Sequence, residues 1–337
     1  MKKTNRLINY LGIVFLAMVL SLVSTLALAQ ETKEKEKTEK EPAEEEEVQT
    51  IAIHSRPLQR VGNTFESTLL IDNQTVLVPM RKTFEFDIQH RFGTVQKGYK
   101  DLWGLYAPSN IRIGFSYTPL NKVMVGFGFT KEKLLWDFNL KYAILKENHK
   151  TGKGYPVSVT YFGNVAVDTR EGNNFINNNA RLSYFNQLMV AKKLTRDFST
   201  QASINLSHMN TVEGYMNSAG EVAGKFKNDH VSISLLSRYK ISDAMAFIAN
   251  FDQPLTKHPT NNPNPNISAG MELATPLHAF QFFLGNYQSI VPQYNNFYNQ
   301  NNYEGGAFVI GFNITRLLDV QEEDLGEMML KRKKKNK

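Results

Sequence analysis

Between residues 110 and 130 the chain reads NIRIGFSYTPLNKVMVGFGFT, with apolar residues on alternate positions. Ile111, Ile113, Phe115 and Tyr117 share one parity, and Arg112, Gly114, Ser116 and Thr118 the other. After Pro119 and Asn121 the apolar parity resumes at Val123, Val125, Phe127 and Phe129, opposed by Met124, Gly126, Gly128 and Thr130. A repeat of two is the period of a β-strand, whose side chains point to opposite faces in turn. Two such runs about a short turn predict an antiparallel hairpin with one apolar face.

The pattern recurs to the end of the chain. Phe84, Phe86 and Ile88 alternate with Glu85, Asp87 and Gln89, and Trp136, Phe138, Leu140 and Tyr142 with Asp137, Asn139 and Lys141. Phe308, Ile310, Phe312 and Ile314 close the series against Val309, Gly311, Asn313 and Thr315. Further runs lie near 157–167, 181–194 (where the parity is blurred), 198–206, 231–239, 245–251, 267–273 and 278–284. The total is about twelve strands of ~10 residues, counted to within one pair, an even number of the length that crosses a bilayer at a tilt. The predicted fold is all-β, an antiparallel up-and-down transmembrane β-barrel with a disordered N-terminal tether and a C-terminal tail.

Loop lengths agree with that fold. The connections at 118–122, 195–197, 241–243 and 275–277 are short, and those at 93–109, 168–179, 209–229, 252–265 and 286–303 are long. Short periplasmic turns and long outer loops are the rule for bacterial outer-membrane barrels, which puts both termini in the periplasm. Two connections break the alternation, 130–133 being short and 145–156 long. Trp136 falls near one rim and Tyr117, Tyr142 and Tyr239 near the other, where amphipathic rings favour a membrane interface. A soluble β-sandwich would need neither feature.

Composition alters the picture mainly at the ends. Lys2, Lys3 and Arg6, the apolar stretch 7–22 and the Ala27-Leu28-Ala29 site make residues 1–29 a signal peptide cleaved after Ala29. Residues 30–50 are almost wholly charged, too poor in apolar surface to fold, and read as a tether. Residues 51–80 form an N-terminal segment, a periplasmic hairpin or a plug in the barrel mouth. The barrel spans 81–316, and 317–337 is a charged tail ending in KRKKKNK. There is no cysteine, which excludes disulfides and thiolate chemistry. The net charge of +7 is too diffuse to point to nucleic acid.

In residues 81–170 an early strand ends in HRFG, and LWGLYAPSNIRIGFSY, WDFNLKYAILK and PVSVTYFGN follow. With GFNITR near the end, this stretch resembles a domain-of-unknown-function family of Bacteroidota outer-membrane β-barrel proteins. The resemblance runs from about Phe65 to Arg316. It implies fold and location and carries no catalytic residues.

The seven histidines show no metal-ligand spacing, and Gly152-Lys153-Gly154 lacks the pattern of a phosphate loop. His208 with Asn210 nearby is the closest approach to a hydrolase arrangement, but asparagine stands where a nucleophilic serine is needed. No catalytic, cofactor-binding or metal residue is therefore assigned, and the expectation is not an enzyme. The candidate site is the lumen-facing set Glu85, Asp87, Arg112, Asp137, Lys141, Arg181, Arg238 and Glu272. Such charges must be wet or paired, so the lumen is either a hydrated pore or filled and salt-bridged. The loop 287–303, rich in Tyr, Asn and Gln, is expected at the cell surface. The sequence reading is a passive, porin-like channel of the outer membrane for small solutes or ions. A non-conducting structural or accessory barrel is the alternative, and an outer-membrane hydrolase a distant one. Expected partners are outer-membrane lipid, a small polar solute of open identity and an envelope protein, and no nucleic acid.

Overall fold

Every barrel strand pairs with its neighbour along the chain, and the last pairs with the first. The computed structural model describes residues 64–147, 155–275 and 277–319. The signal peptide, the tether, residues 51–63 and the tail from residue 320 onward lie outside the described residues. A short hairpin, β1 (Leu69–Leu70) and β2 (Asn73–Gln74), precedes the barrel. Barrel strands follow as β3 (Thr83–Thr94), β4 (Asn110–Leu120), β5 (Val123–Thr130), β6 (Leu135–Leu145), β7 (Ser158–Asp168), β8 (Leu182–Lys193) and β9 (Phe198–Met209). A second hairpin, β10 (Gly214–Met216) and β11 (Val222–Lys225), rises from the next loop. Then come β12 (Asp229–Lys240), β13 (Met245–Pro254), β14 (Asn266–Ala274), β15 (His278–Gly285) and β16 (Val309–Asp319). One helix, α1 (Pro292–Tyr298), sits between β15 and β16.

Twelve antiparallel strands close the ring, with β9 paired to β12 and β16 to β3. The expected count holds, so the two irregular connections conceal no missing pair. The β5–β6 link is only residues 131–134, tightened by a 3-10 turn at Glu132–Leu134. The last strand runs past Arg316, because Leu317, Leu318 and Asp319 pair with Glu85, Phe84 and Thr83 at the start of β3. Backbone groups at a barrel rim need those partners.

The outward parity is the one the alternation picks out. Val125, Phe127, Phe129, Trp136, Phe138, Leu188, Ile204, Leu235, Phe247 and Phe282 are exposed on the outer wall, as lipid-facing positions should be. Aromatic rings there meet across strands, Phe115 on Phe127 at 5.3 Å and Phe129 on Trp136 at 6.0 Å between centroids.

The interior is filled by two pieces of the chain. From the short-turn end, where Lys82 donates its backbone N–H to the Thr118 carbonyl, residues 64–78 run up inside the wall. Phe65, Leu70, Ile71 and Val76 pack there against inward-facing Phe162, Phe185, Met189, Leu236, Ile248 and Phe283. This explains the blurred parity of β8: Phe185 and Met189 point inward because an apolar segment receives them.

The second piece corrects an expectation. The 287–303 loop does not stand wholly at the surface; it turns inward, burying Tyr287, Tyr294, Asn295 and Phe297. From the long-loop end α1 packs with Leu135, Ala166, Met209 and Phe226. The aromatic and amide residues expected at the surface are instead part of the packed interior.

Candidate functional site

Inward parity on neighbouring strands determines which charges meet. Asp87 on β3, Arg112 on β4 and Asp137 on β6 form one group, with Arg112 donating through Nη1 to Asp87 at 3.0 Å and through Nε and Nη2 to Asp137 at 2.8 and 2.9 Å. Room for the guanidinium comes from two glycines directly opposite each other, Gly114 and Gly128. A Cβ on Gly128 would stand 2.3 Å from an Arg112 nitrogen. On the far side Arg238 of β12 donates to Glu272 of β14 at 2.7 Å.

The remaining predicted residues engage the plug or a loop. Glu85 accepts from the Thr68 hydroxyl at 2.8 Å, and Lys141 donates to the Thr68 carbonyl at 2.8 Å. Arg181 does not join the lumen set. It ends a 3-10 turn before β8, donates to the Asp168 and Arg170 carbonyls at 3.0 and 2.7 Å, and lies over the Phe175 ring. Arg181 keeps the parity of the inward-facing Ser183 and Phe185, but the strand starts one residue later, at Leu182, and leaves it in the turn.

Sequence reasoning missed the polar side chains that hold the plug. Gln281 accepts from the Ile71 N–H at 2.9 Å and donates to the Leu69 carbonyl at 2.8 Å. Gln201 does the same for Val76 and Gln74, at 2.9 and 2.8 Å. Arg91 and Asn313 both donate to the Ile71 carbonyl, at 3.0 and 2.6 Å. A plug with so little sheet of its own has its backbone groups satisfied by the wall, as buried amides require. The available signal was glutamine and asparagine on inward parity, which an open pore would tolerate equally.

At the long-loop end two imidazoles stack. The Lys227 backbone N–H donates to His258 Nδ1 at 3.2 Å, so the His258 proton sits on Nε2 and is given to His230 Nδ1 at 3.0 Å. Phe226 and Phe297 flank His258 at 5.0 and 4.8 Å, joining the 210–228 loop to α1. Burial, with Lys227 nearby, holds the His258 pKa below its ordinary value. His208, on the outer wall, lies between Asp229 at 2.7 Å and Asn210 at 3.1 Å.

Two cavities flank the plug at the short-turn end. One of about 280 Å³ is bordered by Glu66, Lys193, Arg196 and Arg238. The other, about 340 Å³, lies between residues 66–68 and 77–80 of the plug and the starts of β3 and β15. Among the described residues no group of three or more His, Cys, Asp or Glu is placed to hold a metal ion.

Comparison with solved structures returns bacterial barrels. The NanC porin aligns with a TM-score of 0.44 and 9% identity, over 71% of this chain and 100% of that one. An outer membrane channel from Pseudomonas putida F1 gives 0.43 and 11%, over 72% and 97%. The KdgM porin gives 0.39 and 7%, over 69% and 98%. A search of curated proteins found no match. Residues 65–318, from the first plug residues to the end of the closing strand, match the family described as "Membrane bound beta barrel domain (DUF5777)". With a closed twelve-stranded ring, lipid-type residues outside and an inner wall that mixes polar side chains with the apolar ones that meet the plug, the chain belongs to that family of membrane-bound β-barrels.

Proposed function

We propose that this protein is a barrel of the bacterial outer membrane that stands closed, with both termini periplasmic, and that it is a non-conducting accessory or structural barrel in this state. The observation that carries the reading is the match between the plug's apolar face and the inward apolar side chains of β7, β8, β12, β13 and β15. A wall built to face water would not present Phe162, Phe185, Met189, Leu236, Ile248 and Phe283 to it, since exposing that surface opposes the hydrophobic effect. Residues 64–78 act as core. Arg181 apart, the charges of the lumen set are paired with one another or with the plug, which suits a filled interior better than a stream of ions. Partners are lipid at the outer wall and an envelope protein at the loops or termini. The protein is read as non-catalytic, since the ring nitrogens of His208 are taken up by Asp229 and Asn210, neither of them the hydroxyl nucleophile that a hydrolase needs.

A second reading keeps the passive channel, as a state reached when residues 64–78 withdraw. The two cavities beside the plug favour it, because they leave slack on the side from which the segment enters. Planar-bilayer recording decides between the readings. The intact mature protein should give no discrete ion steps, and steps from it would overturn the closed reading. Steps from a variant lacking residues 64–78 would support the gated channel. Silence from a folded deletion variant would leave the accessory barrel alone.

A further inference from the structure

The tip of the plug meets α1 and the wall around two carboxylates. Asp72 in the β1–β2 turn and Asp252 on β13 both accept from the same nitrogen, Asn250 Nδ2, at 2.8 and 3.2 Å. Asn73 and Asn266 also donate to Asp252, at 2.8 and 3.3 Å, and Asn295 of α1 donates to Asp72. Among the described residues no lysine or arginine hydrogen-bonds either carboxylate. The nearby cation, Arg91, spends its Nη groups on Asn313 at 2.9 Å and the Ile71 carbonyl at 3.0 Å. Two buried carboxylates sharing one site repel each other unless a proton or a cation sits with them.

A second, independent observation lies in the amides around them. The side-chain oxygens of Gln187, Asn205 and Asn295 have no hydrogen-bond partner, although each residue is only 1% exposed. Asn295 touches one carboxylate directly, and Gln187 and Asn205 each stand one residue away from the other. Asn295 donates to Asp72 from the same amide group. Gln187 donates to Asn73, which donates to Asp252. Asn205 donates to Ser234, which stands opposite Asp252 in register. An amide turns about a broad, two-fold terminal torsion, so it can present oxygen where it now presents nitrogen.

We propose that this junction binds one hard divalent cation of the calcium or magnesium class, with the Asp72 and Asp252 carboxylates and the amide oxygens of Gln187, Asn205 and Asn295 as its ligand pool. Two carboxylates with amide carbonyls are the oxygen set that calcium takes, and no sulfur or imidazole is present to select a transition metal. The proposal rests on the closed-barrel reading, because Asp72 belongs to the plug. It gives that closure a control: the ion ties plug, wall and α1 together, and its removal leaves two carboxylates opposed.

Terbium luminescence tests it directly, since Tyr287 is buried beside Asp72 and absorbs in the exciting band. The full-length protein, stripped with chelator, is titrated with terbium, then with calcium and with magnesium. Saturable sensitised emission displaced by calcium or magnesium, and a melting temperature higher in that ion than in chelator, are expected. Both should vanish in Asp252→Asn. Should that variant fail to fold, Gln187→Leu keeps both carboxylates and should weaken binding by about tenfold or more. Absence of displaceable emission overturns the proposal, as does unchanged affinity in the folded variants. Ion steps from the intact protein would sink the closed-barrel reading whether or not terbium binds. Lack of emission from a silent barrel sinks the cation site alone.

Discussion

Arg112 and Asp137 meet through two parallel hydrogen bonds inside the barrel, Nε to Oδ2 at 2.8 Å and Nη2 to Oδ1 at 2.9 Å. The third arm of the same guanidinium holds Asp87. Arg112→Gln would strand two buried carboxylates, and removing one partner of a buried pair costs about 3 to 5 kcal/mol. A large fall in melting temperature is expected, with no ion steps from either protein. A small fall together with a cation-selective current would mean the lumen is wet.

The glycines beside that arginine give a sharper version. Gly114→Ala places a Cβ 2.0 Å from Asp87 Oδ2, and Gly128→Ala places one 2.3 Å from Arg112 Nη2. Inserting one methyl into a packed interior costs about 1 to 3 kcal/mol. Either variant should melt lower than Gly98→Ala, whose site is open but whose positive φ supplies a backbone-strain control in a loop. Equal melting temperatures would show that the guanidinium is free to move aside.

Ile71 offers a reversal of the usual order. It is fully buried yet sits at φ 60°, a left-handed conformation that a β-branched residue pays for at about 1 to 2 kcal/mol. Gln281, Arg91 and Asn313 hold its backbone there. Ile71→Ala loses packing and keeps the strain; Ile71→Gly loses packing and relieves it. Glycine should therefore be the less damaging of the two. If alanine melts higher, the strain is not what the conformation implies.

Acid should loosen the long-loop end. His258 is held below the ordinary histidine value of 6.5 mainly by burial. The unfolded or opened state then binds more protons, so the stabilisation is intact above pH 6.5 and is lost as pH falls through and below it. A proton on His258 Nδ1 would also displace the Lys227 N–H. Proteolysis of the 210–228 loop should quicken between pH 7.5 and pH 5, and less so in His258→Gln. A flat pH profile would show that the stack does not anchor the loop.

The outer wall was legible in the sequence because lipid imposes apolar character on every second residue, whatever fills the interior. That is why β3, β4, β5, β6 and β16 stand where the alternation placed them. The interior was harder to read. Phe185 and Met189 broke the parity of β8 for a reason located more than a hundred residues earlier, in Phe65, Ile71 and Val76. The plug itself carries too little periodicity to declare its partner, since wall side chains hold its backbone. α1 is shorter than the helices that periodicity reveals and is rich in Asn and Tyr, so it read as a surface loop. Of the charged candidates, Arg112 found both its carboxylates because parity and strand adjacency determine such contacts. Arg181 failed because its assignment hung on one boundary residue.

The pairing of β16 with β3 joins residues at opposite ends of the barrel sequence, Val309 with Thr94 and Asp319 with Thr83. Until that seam seals, two raw edges of backbone face hydrocarbon with nothing to bond, a state that lipid does not tolerate. The barrel is consequently all-or-none along its length: a chain arrested before β16 has no stable shorter ring to fall back on, and quality control in the cell envelope would meet it as an open sheet.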